Sequence, residues 1–303
     1  MKLSVGCPGN KEKVFELLKE FNQLNNLSVN SGNYINEIFL ALRPIESNNI
    51  FSPGKDPYAD LDINGLQEVV MKAKESKIDV RILLNSPNID HIFDEKKNRK
   101  SAEEYIRKLN NAGIDRITTA SEFILNLVTE KFPHFSIAIS SYLKVNTKER
   151  AREFADKGAA RIILPNDLNA DYSLIKEIRN SVNCEIELMA NLGCLHNCPY
   201  HGVHGGYLDN QSRLPEKERD NIDPYKLDCL PKMQKYPDKI TFIRPSEIKK
   251  FDDLGINYLK IVGRQLPVDW ILKSTKAYLE MKYDGNLAEI LTPTYAIADK
   301  IFL

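Results

Sequence analysis

The sequence predicts an α/β fold of the TIM-like (β/α)8 barrel class, and three observations lead to that prediction. Strand-like and helix-like patterns alternate along nearly the whole chain, eight strands can be counted, and most neighbouring strands are separated by a single helix. The length of 303 residues suits one such barrel. An open doubly wound sheet is the competing architecture, but the chain contains no glycine-rich phosphate loop and no internal repeat. We therefore expect a single barrel domain over residues 1–303.

Each strand is predicted from a short run of apolar and β-branched residues, and each helix from apolar residues that recur at helical spacing. The first helix, for example, follows Asn10 as its N-cap and places Val14, Leu17, Leu18 and Phe21 on one face. In chain order, strands are expected at 3–7, 37–42, 79–85, 116–120, 135–140, 161–165, 185–191 and 258–262. The later helices are expected at 63–76, 102–111, 122–131, 148–156 and 173–181, with two apolar helical stretches between 268 and 303.

One segment, residues 193–239, interrupts the alternation of strands and helices between the seventh strand and the next apolar element. Unstructured loops of that length are uncommon inside a compact domain and often carry function. In a barrel this segment leaves the C-terminal end of the seventh strand, which is the face where such folds place their active sites. We expect an inserted cysteine- and histidine-bearing loop at the barrel mouth.

The composition narrows the class of protein. The 42 Lys and Arg residues balance 42 Asp and Glu residues, so a bare nucleic-acid binder is not favoured, although RNA stays open as a partner. No run of about 18 apolar residues exists, and no membrane span is expected. The amino-terminal stretch reaches glycine and proline too early for a secretory signal. Five cysteines, an odd number, fit a reducing cytoplasm better than a disulfide framework.

Three cysteines, Cys194, Cys198 and Cys229, lie within 36 residues of this loop and are the strongest chemical signal in the chain. Thiolates gathered on one polar loop are the usual ligands of a soft metal or an iron–sulfur cluster. Four thiolates, or three with one open iron, suit a [4Fe–4S] cluster. Three thiolates with one histidine suit zinc, and the loop histidines at 196, 201 and 204 are available.

The source of a fourth ligand is left open between a cysteine, a histidine and an open iron. Cys7 ends the first strand at the same mouth, and only the eighth strand separates the first strand from the seventh in a closed barrel. Cys7 is therefore one candidate for the fourth ligand of the site. Cys184 begins the seventh strand, more than about 20 Å from Cys194 at the strand's rise per residue, and is expected to be structural.

Alternation along the seventh strand predicts which of its side chains enter the barrel. The inward set is expected to be Glu185, Glu187, Met189 and Asn191, with Asn191 nearest the mouth. A carboxylate inside a barrel needs a partner, and Arg81 on the third strand is a possible inward partner for Glu187. Two interpretations of Glu187 stay open, a structural ion pair and a proton-transfer group, and Asn191 is a further catalytic candidate.

Other polar residues at the strand ends complete the expected site. Arg264 follows the eighth strand, where its guanidinium could hold a carboxylate or phosphate bidentately or tie down a loop. His201 and His204 could move protons near neutral pH. Three more residues, Asn85, Ser140 and Asn166, follow other strands and could line the pocket.

At four segments the sequence resembles the collagenase-like peptidases, peptidase family U32. These segments are Val5-Gly-Cys-Pro-Gly-Asn10, the acidic strand from Glu185 to Cys194, Asp228-Cys229, and Leu259-Lys-Ile-Val-Gly-Arg264. They occur in the family's order and span almost the whole chain. The chain departs from the family in its C-x3-C spacing, in Val262 where glutamate is common, and in lacking the cysteine after an Asn-Arg-Gly segment. Cys194 and Cys229 transfer most directly.

The resemblance implies a TIM-like barrel holding a [4Fe–4S] cluster and acting as an oxidoreductase. Such proteins hydroxylate a small molecule, a peptide or an RNA base without molecular oxygen. The family name implies a metal-dependent peptidase or hydrolase instead, and a cluster-carrying partner subunit of a related barrel is a third alternative. The sequence contains no H-E-x-x-H zinc motif.

Overall fold

The computed structural model contains a closed barrel of eight parallel strands, which confirms the predicted fold class. It describes residues 1–28, 31–43, 59–87, 95–196, 198–214, 216–218, 220, 223–236 and 239–292. The barrel strands are β1 (Lys2–Gly6), β2 (Tyr34–Leu40), β3 (Asp79–Leu84), β4 (Arg116–Thr119), β5 (Ser136–Ile139), β6 (Arg161–Ile163), β7 (Glu185–Met189) and β10 (Tyr258–Ile261). They follow the order β1-β10-β7-β6-β5-β4-β3-β2, and β2 pairs with β1 to close the barrel.

Helices surround the barrel, and five of those in the described ranges begin at a side-chain N-cap. The helices are α1 (Lys11–Leu27), α2 (Ile63–Glu75), α3 (Glu95–Asn111), α4 (Glu122–Lys131), α5 (Lys148–Asp156), α6 (Tyr172–Ser181), α7 (His201–Arg213), α8 (Pro224–Lys235), α9 (Ile248–Asp253) and α10 (Val268–Leu279). The caps that accept a backbone N–H are Asn10, Asp62, Ser121, Thr147 and Asp171. None of the helices in the described ranges has the length and apolar character needed to cross a membrane.

Two helical predictions differ from the structure. Helix α3 begins at Glu95, seven residues before the predicted start, because its first turns are polar and show no apolar period. The second stretch predicted after residue 268 is a short 3-10 helix, Leu287–Ile290, and residues 293–303 lie outside the described residues.

The segment predicted as a loop at 193–239 has secondary structure of its own. It contains α7, α8 and a two-stranded antiparallel sheet of β8 (Cys194–Leu195) and β9 (Ile240–Thr241). Its helices were hard to predict because α7 is rich in glycine and α8 contains Pro231, so neither has a clear apolar period. We call residues 192–243 the insert.

The main hydrophobic core lies between the strands and the helices. Alternate strand residues such as Leu3, Val5 and Ile261 are fully buried there against helical residues such as Leu17 and Phe21. This outer layer uses the apolar half of each strand. The other half points into the barrel, where the sequence places charged residues.

The lower barrel interior is organised around the buried carboxylate of Glu37. Glu37 Oε1 accepts hydrogen bonds from Ser4 Oγ at 2.8 Å, Arg81 Nε at 3.1 Å and Arg161 Nη1 at 2.6 Å. Burial alone would raise the pKa of Glu37, but the two guanidinium groups outweigh it and hold the pKa well below its usual range. One carboxylate thus joins strands β1, β2, β3 and β6.

The same network extends to Glu187, where the structure corrects one prediction. Arg161 Nη1 donates to Glu187 Oε2 at 2.9 Å, and Lys260 Nζ lies 3.5 Å from Glu187 Oε1. Arg81 is the partner of Glu37, on the adjacent strand β2, whereas Arg161 on β6 lies beside Glu187 on β7. The predicted Arg81–Glu187 contact was therefore wrong.

We predict that Glu37→Gln lowers the free energy of unfolding at pH 7 by roughly 3–5 kcal/mol, because it leaves two buried guanidinium groups undercompensated. The pKa of Glu37 is depressed in the folded state, so its contribution is present above the unfolded pKa of about 4.3 and declines as pH falls below it. Urea unfolding at pH 7 and at lower pH measures both effects.

The matched control is Glu68→Gln, which removes an exposed ion pair with Lys11 and should change stability by less than about 0.5 kcal/mol. An equal effect of the two substitutions would contradict the assignment of Glu37 as the centre of the barrel interior.

Candidate functional site

The candidate site lies at the C-terminal ends of the barrel strands, where the end of β10 approaches the end of β1. A Cβ at Gly6 would lie 2.9 Å from the Phe39 ring and 3.3 Å from Arg264 Cβ. Only glycine therefore fits at the end of β1 while Arg264 keeps this position. Arg264 therefore lies beside the end of β1.

Helix α7 lies across the same face of the barrel. Its Asp209 is only 2% exposed and accepts a 2.8 Å hydrogen bond from Ser86, which follows β3. A Cβ at Gly205 would lie 2.4 Å from the ring of Tyr142, which follows β5. Helix α7 thus contacts the ends of two barrel strands, and its glycine permits the close approach.

Three polar groups converge between α7 and the strand ends. Burial raises the pKa of the Tyr142 hydroxyl, the positive charge of Arg264 lowers it, and the negative charge of Asp209 raises it. The phenol therefore keeps its proton at neutral pH and is available as a donor. Arg264, Tyr142 and Asp209 form a polar group that we call the mouth triad.

Helices α7 and α8 are held together by aromatic and acidic side chains. His204 Nε2 lies 2.7 Å from Asp223 Oδ2, and the His204 ring packs on Tyr225 with centroids 5.2 Å apart. Tyr207 donates its hydroxyl to Asp220 at 2.8 Å. These contacts fix the insert as a unit and leave His204 already engaged by a carboxylate.

The small sheet of the insert positions the first cysteine. Cys194 on β8 lies opposite Thr241 on β9, and Thr241 Oγ1 donates to the Cys194 carbonyl at 3.1 Å. The His196 N–H donates to the Lys239 carbonyl at 2.8 Å and extends the pairing by one residue. The beginning and end of the insert are therefore joined at the cysteine.

Helix α8 brings the third cysteine to the first two. Cys198 and Cys229 pack together against Leu195 and Met233 in a cluster separate from the main core. The Cys194 thiol donates a hydrogen bond to Cys198. The three thiols thus share one small, half-buried site, although as many as 35 residues separate them in the sequence.

The electrostatics of this site favour a thiolate. The hydrogen bond from Cys194 lowers the pKa of Cys198 to about 6, against the effect of partial burial and with a further N–H donated by Tyr200. Burial raises the pKa of Cys229, and the negative charge of Cys198 adds to the rise. Cys198 therefore interacts electrostatically with both Cys194 and Cys229.

The other two cysteines lie elsewhere. Cys7 was predicted to face the mouth as a fourth ligand, but its side chain is fully buried in the main core among the residues between barrel and helices. Alternate residues of a strand point to the same face, so Cys7 shares the outward face of β1 and its extension with Leu3 and Val5. Burial raises the pKa of the Cys7 thiol. Cys184 packs against the main core at the start of β7, where a structural role was expected.

The histidines do not complete a single-ion site in the described part of the chain. No three His, Cys, Asp or Glu side chains among the described residues are grouped closely enough to hold one metal ion. His196 is exposed, with Nδ1 3.1 Å from the Asp167 carbonyl, and His201 begins α7, with its side chain outside what the structure describes. The cysteines of an iron–sulfur cluster can lie farther apart than the ligands of a single ion, because each cysteine binds a different iron.

Asn191 points away from the barrel mouth, contrary to the prediction. Its Nδ2 donates to the Val262 carbonyl at 2.9 Å, to Ser274 Oγ at 3.2 Å and to the Ile290 carbonyl at 3.3 Å. Its Oδ1 accepts from the Val262 N–H at 2.8 Å. The strict alternation of β7 stops after Met189, where the strand ends, so the side chain of Asn191 is free to turn toward α10. Its observed hydrogen bonds are those of an anchor.

Asn166 differs from Asn191 in its hydrogen bonding. It is fully buried in a 3-10 turn, Asn166–Ala170, that follows β6, and neither Nδ2 nor Oδ1 has a hydrogen-bond partner among the described residues. This turn lies against both β8 and β9, next to the cysteines. Of the other pocket candidates, Ser140 caps the turn that carries Tyr142, and Asn85 is half-buried after β3.

Two members of the mouth triad were not found by sequence reasoning. Asp209 reaches Ser86 across 123 residues, and its helix shows no apolar period that would have revealed its burial. Tyr142 lies in a short turn after β5 with no motif around it. Only the position of Tyr142 just beyond a predicted strand end could have indicated it.

Comparisons with known proteins agree with the barrel. The model of "Peptidase family U32" matches residues 54–196. The chain is 24% identical over 293 residues to an archaeal protein, the "Uncharacterized protease MJ1657" of Methanocaldococcus jannaschii, covering 95% of this chain and 85% of that protein. It is 26% identical over 192 residues to the tRNA hydroxylation protein P2 of Bacillus subtilis, covering 58% of this chain and 60% of P2.

One solved structure shows the same fold. The U32 peptidase Mk0906 superposes with a TM-score of 0.54 at 15% sequence identity, over 76% of this chain and 85% of that chain. At that identity the likeness concerns the fold alone.

We predict opposite outcomes for two buried asparagines. Asn191→Leu should lower the free energy of unfolding by roughly 3 kcal/mol, because it leaves both the backbone N–H and the carbonyl of Val262 without the side chain that pairs with them. Asn166→Leu should change stability by less than about 1 kcal/mol or raise it, because no hydrogen bond is lost. Urea unfolding of the two variants checks both, and a larger loss for Asn166→Leu would contradict the hydrogen bonding described for this site.

Proposed function

Because the chain belongs to peptidase family U32, we propose that it is an iron–sulfur oxidoreductase that hydroxylates an RNA base. The oxygen atom comes from an organic co-substrate, which is reduced by two electrons as the base is oxidised, and not from molecular oxygen. The observation that carries the proposal is the convergence of Cys194, Cys198 and Cys229 in the insert, beside the barrel mouth. RNA is preferred over a small molecule or peptide because P2, a relative over 192 residues, is named for tRNA hydroxylation.

The residues present fit a [4Fe–4S] cluster held by three cysteines. Thiolates are the ligands such clusters use, and Cys198 already has a depressed pKa together with an N–H donated to its sulfur by Tyr200. Cys7 is held in the main core, so the proposal leaves one iron without a cysteine. The cluster would supply one-electron chemistry and an open metal position for substrate oxygen.

The mouth triad performs the remaining tasks in this proposal. Arg264 binds an anionic group of a substrate or co-substrate, since a guanidinium matches a carboxylate or phosphate bidentately. Tyr142, which keeps its proton, donates a hydrogen bond to a reacting oxygen, and Asp209 orients α7 through Ser86. His201 and Glu187 stay catalytic candidates from the sequence, and in the structure Glu187 is held by Arg161 and Lys260.

A metal-dependent peptidase is the second candidate function. The observation in its favour is that MJ1657, which aligns over most of this chain, is named a protease. Zinc would need a histidine beside the thiols, and His204 is already bound to Asp223. If the protein cleaves peptides and a chelator abolishes the cleavage, the peptidase function is supported. If the protein carries a cluster but is active only together with a second barrel subunit, the partner-subunit alternative is supported.

We predict that anaerobically purified protein contains iron and sulfide and shows the visible absorbance of a cluster. Cys194→Ser, Cys198→Ser and Cys229→Ser should each lose most of that absorbance, because each removes a thiolate ligand. Cys7→Ser and Cys184→Ser are the matched controls and should keep it, since neither thiol lies in the insert. A colourless protein with stoichiometric zinc, or equal losses in all five variants, would contradict the proposal.

We also predict that nucleoside mass spectrometry of RNA from cells with and without this protein reveals one nucleoside that differs by a single oxygen atom. Arg264→Lys should reduce the modified fraction at least about tenfold, because an ammonium cannot reproduce bidentate binding. A modified fraction unchanged by loss of the protein would exclude RNA as the substrate.

A further inference from the structure

The overall charge of the chain is zero, but its distribution is uneven near the cysteines. Residues 226–250 contain seven lysines and arginines against three acidic residues. This stretch covers α8, β9 and the turn that leads into α9. This part of the sequence therefore has an excess of positive charge, although the total charge of the chain is zero.

Two of these cations are not engaged in ion pairs among the described residues. Lys235 and Lys239 lie over the ring of Tyr236, with Nζ 5.2 and 5.0 Å from its centroid. By contrast, Lys232 pairs with Asp228, and Arg244 and Lys250 both pair with Glu247. Lys235 and Lys239 are both exposed, so their charges are available to a partner in solution.

One exposed aromatic ring, that of Tyr236, lies among these cations, whereas the ring of Phe242 is buried. Tyr236 is an exposed large side chain, 39% accessible, and a few residues along the chain Arg244 lies 5.1 Å over the ring of Phe242. Positive groups that follow a phosphate backbone, interleaved with rings on which bases stack, are how proteins hold single-stranded RNA. We call Lys235, Tyr236, Lys239 and Arg244 the basic aromatic surface.

This surface is joined directly to the candidate site. The Lys239 carbonyl accepts from the His196 N–H, and the next residues form β9, which places Thr241 opposite Cys194. Paired strands lie about 4.8 Å apart, which is less than the span of one extended nucleotide step. Lys239 therefore lies two residues before Thr241, the residue paired with Cys194 in the small sheet.

We propose that the basic aromatic surface is the docking surface for single-stranded RNA, with Lys235 and Lys239 on the phosphates and Tyr236 stacked on a base. The inference rests on the proposed function for its choice of RNA as the polyanion. It adds to that function the place where the substrate is held and the requirement that the target be unpaired.

The test measures binding of a fluorescently labelled single-stranded RNA to the full chain by anisotropy over a series of salt concentrations. The double variant K235E/K239E should bind at least about tenfold more weakly and should lower the slope of log K against log salt by about 1.4, since each lost phosphate contact removes about 0.7. Tyr236→Ala should weaken binding at least about fivefold without changing the slope, because stacking releases no counterions.

The matched control is K72E/K100E, which reverses two exposed lysines on α2 and α3 and should bind RNA like the unaltered protein. Iron content and circular dichroism of every variant are measured in parallel. Unaltered iron and fold in K235E/K239E, together with weakened RNA binding, support the docking surface.

The failures of the two proposals are distinguishable. If the unaltered protein binds RNA and the surface variants bind equally well, the docking surface is wrong and the proposed function stands. If heparin competes as well as RNA and Tyr236→Ala has no effect, the surface binds polyanions in general and the inference is overturned. If no preparation contains iron but K235E/K239E still loses RNA binding, the cluster proposal fails and the docking surface stands.

Discussion

The hydrogen bonds of Asn191 are the constraint from which the geometry of the site follows. Its side chain joins the end of β7 to Val262 at the end of β10, and it also reaches α10 and the Ile290 carbonyl. The insert leaves the barrel immediately after this residue, and Arg264 follows two residues after Val262. A single buried amide therefore fixes both the root of the cysteine-bearing insert and the strand end that carries the cation of the mouth.

Asn191 lies between two parts of the molecule that are stabilised by different kinds of interaction. Below it the barrel interior is stabilised by buried charges, in which Glu37 and Glu187 are shared among Arg81, Arg161 and Lys260. Removing one member of such a network is costly because the others stay buried. Above it, the insert is held by ring packing, by the His204–Asp223 contact and by one short β-ladder. The charged barrel interior thus supports the insert that carries Cys194, Cys198 and Cys229.

The sequence predicted the barrel well because alternation and strand count depend on local pattern, as the boundaries of α4 and α5 illustrate. It also brought Cys194, Cys198 and Cys229 to one region, since they share a segment. It failed where long-range geometry decides: Asp209 meets Ser86 across the mouth, and Arg161 rather than Arg81 takes Glu187. Cys7 and Asn191 were wrongly placed at the mouth because an end-of-strand position does not give the direction of a side chain. The roles of Arg264, His201 and Glu187 stay predictions.

The central claim is that three sulfurs of the insert share one inorganic centre beside the barrel mouth. The most direct measurement is anomalous diffraction at the iron absorption edge from anaerobically grown crystals. The account predicts one compact iron peak in contact with the sulfurs of Cys194, Cys198 and Cys229 and distant from Cys7. A map with no iron peak, or with a single zinc peak there, would contradict it.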